Sequence, residues 1–320
     1  MCMIDIFTPR FIYRMSGLIV GSDIRLPMLL PVSQCEAFSL DVTINIEYVP
    51  KRLENPIHSG VNWSADSSRF LLDLEGIGRF MAADGCRVTF SPAQGTQVED
   101  ILIFVTGTML SAILYQRGAF LLHGSAVVWN GRAFIFCGPS GAGKSTLASA
   151  LCRAGCEFLS DDLSMIQPDA TGVPSVYPDG RAIRLYTDSI ERLGLEGAVG
   201  SRVRQMIDKY HVTPPSGEAL IADSVPIGGI YIVADATPAS PTGIILLPPV
   251  TAAQALFWQS YRRRLALAFV GGSLIAARTA EILTHAHVYY LHRLPNLRRI
   301  DETVALLFEH WAAPIGTGVV

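Results

Sequence analysis

The stretch LLHGSAVVWNGRAFIFCGPSGAGKSTLASALCRAGCEFLSDD, Leu121 to Asp162, decides how this chain folds. Its centre, Gly138-Pro139-Ser140-Gly141-Ala142-Gly143-Lys144-Ser145, matches G-x-x-x-x-G-K-[ST] in full, with Thr146 directly after it. The pattern needs glycines because the backbone wraps a phosphate with its own N–H groups, some of them at positive φ. Lys144 then reaches the β- and γ-phosphates of a nucleotide such as ATP, and the Ser145 hydroxyl reaches Mg2+. Such a loop should follow a strand and open a helix. Arg132 to Cys137 reads as a buried strand, and Leu147, Ala150, Leu151 and Ala154 fall on one helical face. Gly155 stands where a helix ends in a left-handed residue. The helix so begun points its free N–H groups and positive dipole end at the phosphate.

Working outward, Asn130-Gly131 is a strong hairpin signal, and it joins Phe120–Trp129 to the loop strand. A two-residue turn fixes the register: Trp129 faces Arg132, Ser125 faces Phe136, and His123 falls beside Gly138. His123 is therefore expected at the site. On the other side, Cys156–Ser160 reads as a short strand with Asp161-Asp162 at its carboxyl end, the end that faces the ligand crevice in an open α/β sheet. Adjacent carboxylates also occur in solvated turns. Here apolar chain, Leu163-Ser164-Met165-Ile166, follows and embeds the pair. One carboxylate can hold Mg2+ while the other accepts a proton from an attacking hydroxyl.

The chain has 320 residues, half of them hydrophobic, enough for one large or two ordinary domains. A formal net charge of -3 argues against a general nucleic-acid binder. Only three lysines occur, Lys51, Lys144 and Lys209, and one lies in the phosphate loop. Six cysteines without a C-x-x-C pair read as buried or incidental thiols in a reducing compartment, so a cytoplasmic location is expected. The N-terminus lacks the basic, apolar, small-residue order of a signal peptide. Ile101 to Tyr115 imitates a membrane span but falls short of the roughly 20 residues a bilayer needs. A buried helix is expected there, and no membrane partner. The sequence leaves a homo-oligomer open.

The fold class expected is α/β, a phosphate-loop core over residues 98–320 preceded by a small β-rich domain over 1–97, with a linking helix at 98–116. Past the core stretch, Arg181 to Leu185 reads as a strand and Asp188 to Leu195 as a short helix capped by Thr187 or Asp188. Residues 197–226, with Lys209, look irregular, like a lid or substrate loop. Gly229 to Ala234 reads as a strand with Gly243 to Leu247 as its partner. Ala252 to Phe269 reads as one helix carrying Arg262-Arg263-Arg264, either a solvated face or a phosphate clamp. Ala276–His285 reads as a helix, His287–Leu294 as a strand and Asp301–Trp311 as a closing helix capped by Asp301.

The combination of His123-Gly124, the loop Gly138–Ser145, and Asp161-Asp162 sixteen residues after Ser145 resembles the catalytic domain of HPr kinase/phosphorylase. Arg184 looks like the arginine of that family's later signature segment. The resemblance implies that Asp161 is the general base, that His123 orients it, and that Asp162 helps Ser145 hold Mg2+. Lys144 keeps its phosphate role, and Arg184 and Lys209 become candidates for contacting substrate. The chain departs from the family pattern at Thr146 and Ala182, where the family carries glutamates, and at Leu185-Tyr186, where it is glycine-rich. The layout is most similar to the HPr-kinase-like tailoring kinases of lasso-peptide biosynthesis. That resemblance implies ATP- and Mg2+-dependent phosphorylation of a serine on a precursor peptide or small protein, at the C-terminus in the lasso case. A small-molecule kinase and a nucleotide-binding regulatory module without transfer chemistry are the alternatives.

Overall fold

The computed structural model describes residues 9–29, 31–32, 39–204, 207–214 and 223–313. The first eight strands, from Phe11–Met15 to Arg87–Pro92, form one sheet. Its hairpins turn at Ser16-Gly17 and Asp84-Gly85, where all four residues take left-handed φ values.

A helix from Val98 to Gln116 follows, with a π-helical segment at Phe104–Met109 between two α-helical ends. At 19 residues it is longer than the apolar run alone indicates, and among the described residues it is the one continuous helix with the length and hydropathy of a membrane span. Most of it is buried within the fold: 67% of its most apolar window is covered. Ile101, Val105, Met109, Ile113 and Leu114 join a hydrophobic cluster that runs from Phe80 and Phe90 of the first sheet to Ile135 and Ile230 of the second.

The second sheet has nine strands, and the phosphate-loop strand Arg132–Cys137 lies inside it. It pairs antiparallel with Gly124–Trp129 and parallel with Val225–Asp235. The hairpin keeps the expected register, Trp129 against Arg132 and Ser125 against Phe136, but ends at Gly124 against Cys137: the expected strand Phe120–Trp129 breaks at His123, and Phe120–Leu122 pairs with Ser164–Pro168 instead. Asn130 and Gly131 turn at φ 48 and 70. Alternate residues of the loop strand serve two cores: Ala133, Ile135 and Cys137 face the cluster just described, while Phe134 and Phe136 face another. Burial on both faces is why the strand reads as an unbroken apolar run. The second core is covered by the helices Lys144–Arg153 and Ile300–Ala312. Trp311 stacks on Phe134 with ring centroids 4.0 Å apart and donates its indole N–H to Tyr231 Oη at 2.8 Å.

Several expectations need correction. Gly243–Leu246 pairs with Val288–Arg293, not with Val225–Asp235. The more buried strand Val288–Arg293 takes the inner edge, and Gly243–Leu246, with Ile245 and Leu246 half exposed, takes the outer one. The stretch expected to be irregular holds a hairpin, Val199–Arg204 and Ile207–Val212, which joins Ile183–Tyr186 in a three-stranded sheet. Charged residues among Val199, Val203, Tyr210 and Val212 hide that pattern. Residues 215–222 of the expected lid lie outside the described residues, as do Cys2 and Cys35.

The long helix expected over 252–269 is two, Pro249–Trp258 and Arg263–Phe269. The break arises because its backbone is bound elsewhere: Gln259 O accepts the His123 N–H at 2.8 Å, and Tyr261 N–H donates to Leu121 O at 2.9 Å. Arg262 takes a left-handed φ of 46 there. The final helix starts at Ile300, so Asp301 sits in its first turn and pairs with Arg192 at 2.7 Å. Thr187 is likewise the first residue of its helix, Thr187–Leu193, and not its cap.

Candidate active site

The glycine loop leaves the end of its strand and enters the helix Lys144–Arg153 through Gly143, whose φ is 76. Gly138, at φ 146, has no room for a side chain: a Cβ would lie 2.8 Å from Val233 O. Gly141, at φ 84, faces open space, which is what a backbone cradle for a phosphate requires. Lys144 Nζ donates to Gly138 O at 2.9 Å and Pro139 O at 3.0 Å. Burial pulls its pKa down, although the charges of Asp161 and Asp162 oppose this.

Ser145 Oγ donates to Asp161 Oδ1 at 2.7 Å. The same oxygen accepts from Ser125 Oγ at 2.7 Å, and Asp161 Oδ2 accepts the Arg184 N–H at 2.9 Å. The Asp161 N–H in turn donates to Asp179 Oδ2 at 3.1 Å. Asp161 is thus buried and engaged on both oxygens, at 2% exposure.

Asp162 has left-handed backbone, φ 71, which turns its side chain out of the strand. Its Oδ2 pairs with Arg184 Nη2 at 2.5 Å and accepts from Tyr261 Oη at 3.4 Å. Burial works to raise its carboxyl, but Arg184, His123 and Arg181 outweigh that and bring it down to about 2. His123 Nδ1 lies 2.9 Å from the Asp162 carbonyl oxygen and 3.6 Å from Oδ1. A carbonyl only accepts, so Nδ1 carries the proton and the neutral ring keeps its lone pair on Nε2. Burial, then the Lys144 charge, lower the His123 pKa and favour that neutral form.

One cleft of ≈ 370 Å³ gathers His123, Ser140, Gly141, Gly143, Lys144, Ser145, Thr146, Asp161, Asp162, Arg184 and Lys209. Gly138 and Pro139 line a neighbouring cavity of ≈ 580 Å³ with Gln259 and Tyr261. Ala142 lines neither; its side chain packs into the second core and its carbonyl accepts from Arg293 Nη2 at 2.7 Å. Thr146 Oγ1 is bonded to Ser189 Oγ at 2.9 Å. Lys209 Nζ sits over the Tyr186 ring at 5.3 Å. The arginine run stays out of this cleft: Arg263 stacks on Trp258 at 4.1 Å.

An all-oxygen set of one hydroxyl and neighbouring carboxylates suits Mg2+, which is usually held by one or two carboxylates together with substrate phosphates. Among the described residues no group of three or more His, Cys, Asp or Glu side chains could hold a metal by itself.

Sequence reasoning missed several residues of the site. Gln259 Oε1 accepts the Gly138 N–H at 3.1 Å, and Arg293 pins the loop through Ala142. Asp235 and Arg293 end adjacent parallel strands and line the cleft, a position that the strand-end rule could have flagged. Asp179 is fully buried beneath Asp161, and nothing in its turn-like surroundings marks it.

No protein-family model and no curated protein matches the chain. Among solved structures it is similar to the HPr(Ser) kinase/phosphatase from Coxiella burnetii, at 11% sequence identity and a TM-score of 0.30, over 59% of this chain and 89% of that one. At those values the reading of the site rests on its own residues.

Proposed function

We propose that the chain is an ATP- and Mg2+-dependent kinase of the HPr-kinase type that transfers the γ-phosphoryl group to a serine hydroxyl of a peptide or small protein, a lasso-peptide precursor in particular. The observation that carries this reading is the pair of carboxylates. A glycine loop with its lysine supports nucleotide binding; a second, separately held carboxylate at the same strand end supports delivery to a hydroxyl. Bound with the nucleotide, Mg2+ supplies positive charge at the phosphates.

The local geometry favours exchanging the parts that the resemblance implies for the two aspartates. Asp161 holds the Ser145 hydroxyl and is closed in, as a metal-side carboxylate should be. Both aspartates line the nucleotide cleft, but Asp162 also lines the neighbouring cavity with Gly138 and Pro139 and a further one on the side of Arg181, so it is the one of the pair open to an acceptor hydroxyl arriving from beyond the cleft. In this reading His123 fixes Asp162 through its carbonyl, and Arg184 keeps the carboxylate ionised. Asp162 then orients the acceptor hydroxyl and takes its proton as the serine oxygen bonds to the γ-phosphorus and the bond from that phosphorus to the β-phosphate oxygen breaks, releasing ADP.

The test is incubation with ATP, Mg2+ and candidate peptides, read as a mass gain of one phosphate. Lys144→Ala should abolish the gain. Asp162→Asn should lower turnover by roughly 10²-fold or more and leave Mg2+-nucleotide affinity intact, whereas Asp161→Asn should weaken that affinity. Wild-type turnover in Asp162→Asn would overturn the assignment.

A further inference from the structure

A third cavity, of ≈ 480 Å³, opens on the far side of Asp162 and Arg184 from the nucleotide cleft, and both residues line both spaces. Besides those two it is lined by Pro27 and Met28, by the helix Val98–Gln116 from Glu99 into its π-helical segment at Thr106 and Gly107, by Arg181 and Ala182, by the hairpin that carries Arg202 and His211, and by Tyr261 and Arg262. π-helical turns inside α-helices often mark functional sites. Here the segment places Gly107 against Arg262: a Cβ on Gly107 would lie 3.5 Å from Arg262 Nη2.

The walls are rich in guanidinium groups. Arg184 is answered by Asp162 and Arg202 by Asp208. Arg181 and Arg262 form no ion pair with a described residue, and Glu99 is the other acid of the lining. Arg181 is 6% exposed; its Nη2 donates to Thr106 O at 2.7 Å, and its Nε has no partner. His211 Nδ1 is also buried without a partner. Burial, then the Arg184 charge, hold this imidazole down to about 4, so it adds no positive charge near neutrality. A positive wall next to the proposed base selects a negative group on whatever carries the acceptor hydroxyl, because guanidinium–carboxylate hydrogen bonds are short, forked and specific.

Resting on the kinase reading above, we propose that this cavity is the acceptor site and that it recognises a carboxylate close to the serine being phosphorylated. That carboxylate can come from an Asp or Glu side chain or from a free chain end, and the experiment separates the two sources. Fluorescently labelled peptides with alanine in place of the acceptor serine are titrated onto the full chain with Mg2+ and a non-hydrolysable ATP analogue. The set comprises a neutral amidated peptide, the same peptide with a flanking Glu, the same with a free carboxyl terminus next to the alanine, and one with a flanking Lys.

At least one carboxylate peptide should bind about tenfold more tightly than the neutral one, with the Lys peptide weakest. The arm that gains identifies the source. Arg262→Glu, at an exposed position outside the proposed catalytic set, should erase the preference, with nucleotide affinity measured alongside because Arg262 also borders the cavity at Gly138 and Pro139. Gly107→Leu should obstruct the cavity without altering charge, and so weaken all peptides alike. Equal affinity for neutral and carboxylate peptides, or a preference that survives Arg262→Glu in a folded variant, would overturn the inference. The serine versions of the same peptides report the parent reading. Carboxylate-selective binding with no mass gain refutes the kinase and keeps the site; mass gain without charge preference does the reverse.

Discussion

Replacing Asp179 by Asn should change how stability depends on pH, and the size of the change follows from its surroundings. Asp179 is fully buried, and its two oxygens accept the backbone N–H groups of Asp161 at 3.1 Å and Arg181 at 3.0 Å. Burial, against the pull of Arg181, raises its carboxyl from 3.8 to about 7. An unfolded chain gives up this proton near pH 3.8, while the folded protein keeps it to about pH 7. Its contribution is therefore full below the lower value and is lost as pH rises through the upper one. The gap is worth about 4 kcal/mol. Asn cannot ionise, and it turns one acceptor into an N–H donor facing an N–H, a constant cost of about 1–3 kcal/mol.

The variant should therefore be less stable than wild type near pH 4 and gain on it by about 4 kcal/mol toward neutrality. His211, held down to about 4, works in the opposite sense over much of the same range, but it is present in both proteins and drops out of the difference. Urea denaturation at closely spaced pH values, compared between the two proteins, measures that difference. A difference that stays flat with pH would refute the reasoning.

Two further substitutions test the supports of the site. Gly138→Ala places a Cβ 2.8 Å from Val233 O at a φ of 146, so it should cost about 1–3 kcal/mol and weaken nucleotide binding; thermal melting with and without nucleotide reads both, and an unshifted melt would deny the constraint. Tyr115→Phe removes the buried hydroxyl that donates to Tyr261 O, leaving that carbonyl unpaired at a cost of about 1–2 kcal/mol and loosening Tyr261 beside Asp162; denaturation midpoints equal to wild type would show that this tie holds nothing.

The parts of the site legible in the sequence are those set by local rules. Asn130-Gly131 fixes a register that ends at Gly124 against Cys137, one residue short of His123, which lines the cleft together with the loop. The apolar face of Lys144–Arg153 and the terminal Gly155 fix the helix that follows. What stayed hidden depends on contacts between distant segments. Gln259 and Tyr261 interrupt a helical pattern because strand residues claim their backbone groups, and no local signal announces that. Lys209 lies in a strand whose alternation is masked by charges facing the cleft and solvent. The different settings of Asp161 and Asp162, one closed in by Ser125 and Ser145 and the other turned outward at φ 71, cannot be read from two identical adjacent letters.

The helix Val98–Gln116 has a consequence for any attempt to shorten the protein. One of its faces lies in a single apolar cluster with Phe80 and Phe90 of the first sheet, and Phe104 packs on Phe80 with ring centroids 5.6 Å apart. A fragment starting at residue 98 would turn that face toward water, and with it Arg262 would lose neighbours on one side, since the cavity it shares with Trp63 and Phe70 is walled by the deleted strands. The joint between the β-rich segment and the phosphate loop is therefore a poor place to cut. A minimal version of this protein should keep the sheet and be trimmed elsewhere.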